Sequence, residues 1–153
     1  MKIKSILILG IVLSVALSGN AQAETFIGTI LKDQQITTVQ NYTEWLTDHI
    51  SYRSDGGSRE WADPQTTIKR GYGDCKDYAL LNREALKHFG YESKIYSVTQ
   101  FNQDKHAIVV FKTGGRYAFF SNDELYLTDA LTEDDFRKYL ASQHEYFSPQ
   151  LIS

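Results

Sequence analysis

Hydrophobic and polar residues alternate along this chain in three different ways. Residues 6–17 are almost continuously apolar, broken only by Gly10 and Ser14. Residues 38–88 carry apolar positions at helical spacing, and residues 93–127 carry short runs rich in β-branched and aromatic side chains. In 38–52, Tyr42, Trp45, Leu46, His49 and Ile50 predict one helix, ended by the polar loop Ser54-Asp55-Gly56-Gly57-Ser58. Asp63-Pro64 reads as a cap followed by proline at the first helical position, opening a short helix to Lys69. A central helix is predicted from Asp74 to His88, stopped by Gly90. Cys75, Ala79, Asn82, Leu86 and Phe89 line one face, and Tyr78, Leu81 and Ala85 widen it. Asp74 suits the N-cap, and Asp77 three residues later imitates a capping box.

Beyond Gly90 the spacing predicts strands over 93–99, 107–111 and 116–120, with a short one over 124–127. Gly114-Gly115 supplies the positive φ of a tight hairpin turn. Residues 132–141 predict a helix capped by Thr132, with Asp135 at its third position. Helices first and an antiparallel sheet afterwards make the fold class α+β.

The apolar start changes the picture of the rest. A basic Met1-Lys2-Ile3-Lys4, the apolar 6–17 stretch and the small-x-small Ala21-Gln22-Ala23 form a signal peptide over 1–23. The mature chain then begins at Glu24, and 24–153 make one domain with one core. The apolar stretch is shorter than the roughly 20 residues of a membrane span. The expected location is therefore the periplasm or the medium, without stable membrane insertion of the mature chain. No cysteine follows the leader closely, which argues against a lipid anchor. The formal charge is −3, and losing the leader's two lysines makes it more acidic. Nothing there points to nucleic acid.

Export bears on the lone cysteine, Cys75, because a free thiol in an oxidising compartment is a liability unless it is inert or reactive by purpose. Arg70-Gly71-Tyr72-Gly73-Asp74 delivers it to the first turn of the central helix. Unpaired N–H groups and the positive end of the helix dipole favour a thiolate there. His106 opens an alternating apolar strand and is the candidate base; His49, His88 and His144 have no comparable pattern. A base needs a third group to orient it. With a two-residue Gly114-Gly115 turn, His106 falls opposite Asp123 on the same sheet face, and Ser121 is its diagonal neighbour. A three-residue turn would substitute Asn122. Asp123 is the first expectation and Asn122 the second. Against these stand plainer roles: Cys75 as a small buried hydrophobe, His106 as a strand histidine, Asn122-Asp123 as turn residues. Asp74 and Asp77 are candidate calcium ligands by their chemistry, and more simply helix-start carboxylates. One cysteine and scattered histidines lack the ligand spacing of a zinc site. Trp61 and Tyr72 are candidates for a substrate groove or for the core.

Several ordered pieces together resemble the bacterial transglutaminase-like cysteine proteinases of the papain-like transglutaminase superfamily. They are Ile50-Ser51-Tyr52-Arg53-Ser54-Asp55, Trp61-Ala62-Asp63-Pro64, Gly73-Asp74-Cys75-Lys76-Asp77-Tyr78-Ala79-Leu80-Leu81, Gly90 and His106-Ala107-Ile108-Val109-Val110. The resemblance implies N-terminal helices, with the nucleophile at a helix start packed on a small antiparallel sheet. It also implies a cysteine–histidine–aspartate triad that attacks a peptide or amide carbonyl. Cys75 would carry a thioester and lend its backbone N–H to an oxyanion hole, while His106 would shuttle the proton. No cofactor is required for this. Periplasmic members that cleave adhesins are longer, regulated by calcium, and carry glutamate where this chain has Lys76. If the family's acidic position corresponds to Ser121, the triad lacks its carboxylate. The expected function is an exported peptidase or amidase acting on a protein or peptide substrate. The alternatives are a protein-glutamine transglutaminase and a catalytically silent peptide-binding module.

Overall fold

Side-chain caps decide where the helices begin. A computed structural model describes residues 26–56, 59–100, 104–143 and 146–152, so the expected signal peptide lies outside the described residues. Helix α1 (Phe26–Asp33) comes first, and α2 (Val39–His49) follows with Thr38 accepting from the Asn41 N–H at 3.1 Å. Asp63 caps α3 (Pro64–Arg70) by accepting from the Thr66 N–H at 2.9 Å, with Pro64 in the first turn as expected. Helix α4 (Cys75–His88) starts at the anticipated capping box: Asp74 accepts from the Lys76 and Asp77 N–H groups, and Asp77 returns the bond to the Asp74 N–H at 3.1 Å. Thr132 caps α5 (Glu133–Ser142) through the Asp135 N–H.

Helix α2 is shorter than its periodicity suggests. Ile50 is extended, and Ser51–Tyr52 form strand β1, which pairs in parallel with β2 (Tyr72–Gly73). The Ser51 N–H donates to the Gly71 carbonyl and the Arg53 N–H to that of Gly73. Tertiary pairing here overrides the helical pattern, and it ties the loop after β1 to the turn before Cys75.

The remaining strands are β3 (Ser93–Gln100), β4 (Lys105–Thr113), β5 (Arg116–Ser121), β6 (Glu124–Leu127) and β7 (Tyr146–Leu151). They form one antiparallel sheet in the order β6-β5-β4-β3-β7. Strand β7 and helix α1 had no clear signal in the hydrophobic pattern. Alternation along the strands divides the core. Ile95, Ala107, Val109, Phe111, Ala118 and Phe120 pack with Leu31, Leu46, Leu81 and Leu86 from the N-terminal helices. Tyr96, Val98, Ile108, Val110 and Phe119 pack on the other face with Phe136 and Leu140 of α5. Each fully buried Val, Leu, Ile or Phe among them contributes about 1.5–3 kcal/mol. Among the described residues, no helix is long and apolar enough to cross a membrane.

Candidate active site

The turn that carries the thiol depends on two glycines. Gly71 ends α3 at φ +70°, a left-handed conformation that side chains resist. A methyl group on Gly73 would lie 2.9 Å from the Asp77 Cβ and 3.2 Å from the Thr67 Cγ2, so the turn passes too close to α4 for any side chain. Asp77 sits at the hub of this packing. Its carboxylate accepts from the Asp74 N–H and the Ala62 N–H at 2.8 Å, and pairs with the Arg70 guanidinium. Cys75 is thereby fixed as the first residue of α4, half-buried.

The thiol is held against β4. The backbone N–H of Ala107, the residue after His106, lies beside it. Burial pushes the Cys75 pKa up. The Ala107 N–H and the Lys76 charge work the other way, and Asp74 reinforces the rise. This corrects the expectation of a helix-stabilised thiolate: desolvation at the foot of the sheet outweighs the helix start, and the resting group is a thiol.

His106 is 7% exposed, and its Nε2 lies 2.9 Å from the Ser121 Oγ, itself 8% exposed. Burial pushes the imidazole pKa down to about 4, so the ring is neutral at neutral pH. The β4–β5 register is the one expected from a two-residue Gly114-Gly115 turn, with Ile108 opposite Ser121 and Thr113 opposite Arg116. Yet β5 ends at Ser121. Asn122 adopts φ +53° and, with Asp123, forms the turn into β6, where Ser121 pairs with Glu124. The strand turns away two residues before Asp123 would come opposite the histidine. The Asp123 carboxylate instead accepts from the Thr47 Oγ1 at 3.2 Å. The Asn122 carbonyl accepts from the Asn82 Nδ2 at 2.8 Å, and the Asn82 Oδ1 accepts from the Tyr42 hydroxyl at 2.8 Å. Sequence reasoning placed Ser121 as the diagonal neighbour of His106, and that is the side chain on the ring. It gave no role to Asn82, which moors the turn; a buried asparagine on the apolar face of α4 was the available signal.

Cys75 and His106 line one cleft of about 510 Å³, together with Tyr52, Trp61, Lys76 and Ile152. Tyr72 is not part of it. Its ring lies under the Arg53 and Arg70 guanidinium groups, 4.7 and 4.8 Å away, beside a second cleft that shares Asp55 and Trp61 with the first. A larger hollow of about 850 Å³ lies by Lys87 and Tyr91 at the far end of α4, with no cysteine or histidine in its lining. Asp74 and Asp77, the candidate calcium ligands, have their oxygens engaged by N–H groups, by Lys76 and by Arg70. Among the described residues no three His, Cys, Asp or Glu side chains converge as a metal site.

Calcium-bound LapG of Legionella pneumophila shares this fold, at a TM-score of 0.56 and 14% identity over 80% of this chain and 68% of that one. EGTA-treated LapG matches at 0.51 and 16% identity over 66% of this chain and 62% of that one. Over 80 residues, 51% of the chain is 32% identical to the UPF0252 protein PH0672 of Pyrococcus horikoshii. The chain spans 26% of that relative's length. Residues 18–144 match the sequence profile of the bacterial transglutaminase-like cysteine proteinases, and by that match the chain belongs to this family.

Proposed function

We propose that this chain is an exported thiol peptidase that hydrolyses a peptide or amide bond in a protein substrate, with Cys75 as nucleophile, His106 as base and Ser121 as the residue that orients the ring. The observation that carries this reading is the shared cleft of Cys75 and His106, with the strand that bears the histidine beside the thiol. His106 takes the thiol proton as Sγ attacks the carbonyl carbon. The Cys75 backbone N–H, one of the first four of α4 and so unused by the helix ladder, donates to the oxyanion. The C–N bond breaks as His106 returns the proton to the amine, leaving an acyl thioester. Water, deprotonated by His106, attacks the thioester; the acid leaves and the thiol is restored. An imidazole with a pKa of about 4 is unprotonated in the resting site, but it accepts the thiol proton uphill, since a general base works best with a pKa near the operating pH. Ser121 supplies orientation without a negative charge, so the imidazolium is less stabilised than with a carboxylate partner.

Hydrolysis is favoured over acyl transfer because water is abundant. Incubation of the mature chain with an unfolded carboxymethylated protein will generate new amino termini, and Cys75→Ala will generate none. Ammonia release with joined chains would point to a transglutaminase. Peptide binding that persists in Cys75→Ala, without turnover by the wild type, would point to a silent binding module. Terminal sequencing of the exported protein should begin at Glu24; a chain that keeps Met1 contradicts export by cleavage. One LapG structure contains calcium. Here the committed oxygens of Asp74 and Asp77 do not fit a hard cation that needs six to eight oxygen ligands.

A further inference from the structure

Lys76 follows the nucleophile, and its ammonium lies between carboxylates from two different parts of the chain. It donates to the Asp55 Oδ2 at 3.0 Å and pairs with Asp74, the cap of α4. The side chain is only 17% exposed, and Asp55 is 31% exposed. Desolvation alone would lower the Lys76 pKa, but Asp74 and Asp55 outweigh it and raise it, so the ammonium is firmly charged. Asp55 belongs to the loop after β1, which also brings Tyr52 and Ser54 to the Cys75 cleft. Backbone pairing of β1 with β2 ends at Arg53, and the Lys76–Asp55 bridge joins the loop beyond it to the start of α4.

A cation is therefore fixed one residue from the thiol, between two carboxylates that face each other from separate elements. A divalent ion in that position would need oxygen donors that the ammonium already occupies. We propose that Lys76 is a tethered cation that holds the Asp55 loop on the start of α4, so that the Cys75 cleft is assembled without calcium. This rests on the peptidase reading only in taking that cleft as the working site. Being covalently attached, the ammonium has no dissociation equilibrium, and the state of the cleft does not follow the free calcium concentration.

The test compares the mature wild type with Lys76→Met, Lys76→Arg and Lys76→Glu. Thermal melting and the pH profile of Cys75 alkylation by iodoacetamide are followed in calcium chloride and in EGTA. The wild type will melt and label identically in both. Lys76→Met will melt lower, and its labelling midpoint will move to higher pH, because Asp74 then acts on the thiol without the opposing positive charge. Lys76→Arg will recover most of that midpoint shift. Lys76→Glu brings three carboxylates together and will melt at a higher temperature in calcium than in EGTA. A wild type stabilised by calcium overturns the proposal, as does a Lys76→Met protein with wild-type melting and labelling. So does a folded Lys76→Glu protein indifferent to calcium. If Lys76→Glu fails to fold, the first two comparisons still decide. No readout requires substrate cleavage, so failure of the peptidase reading would show separately, as absence of new termini.

Discussion

Burial sets the titration of Cys75 and His106, the two side chains proposed to react. The imidazole of His106 titrates near 4 in the fold and near 6.5 in the unfolded chain. As pH falls through that window the unfolded state takes up a proton that the folded state refuses. Stability is therefore lost on acidification from about 6.5 to about 4, by about 3 kcal/mol at most. Urea titrations at several pH values should show this slope in the wild type and a flatter one in His106→Gln. Ser121 offers a second handle. Ser121→Ala removes one net hydrogen bond and should lower turnover by about tenfold or less. Ser121→Asp places a carboxylate beside the ring and should raise the histidine pKa, read from the imidazole proton shifts. The lone cysteine at a helix start and the strand histidine were legible as residues. The direction of their titration was not, because desolvation depends on what packs over them.

At the scale of elements, the site is carried by two turns. The first, Gly71 to Asp74, requires Gly73 to have no side chain. Gly73→Ala should cost about 1–3 kcal/mol, seen as a lower urea midpoint, because Asp77 and Thr67 must move. The second, Asn122-Asp123, is moored by Asn82 to α4 and through Tyr42 to α2. Asn82→Ala leaves the Tyr42 hydroxyl and the Asn122 carbonyl without their partner, at about 1–3 kcal/mol. Its turnover should fall beyond the loss in folded protein, because the turn follows directly on Ser121. Caps, the Gly114-Gly115 register and the α4 face were readable because each is a local rule. The end of β5 was not: one residue at positive φ redirects the strand, and Asn and Asp fit a turn and a catalytic position equally well.

For the molecule as a whole, the order of helices before an antiparallel sheet was plain from periodicity, and the family resemblance agreed with it. Strand β7 escaped notice because an edge strand is defined by its partner, here β3 across about fifty residues of sequence, rather than by its own pattern. The Lys76–Asp55 bridge escaped for the same reason, since no local rule joins residues 21 apart. What the assembled fold adds is adjacency: a thiol from the helical half and an imidazole from the sheet half open on one cleft. The central claim is that the second activates the first. The most direct measurement is the rate of Cys75 alkylation by iodoacetamide at neutral pH in the folded mature chain, beside folded His106→Ala. A general base of this kind contributes about 100-fold or more, so the variant should label slower by that order. Equal rates in the two proteins would contradict the account.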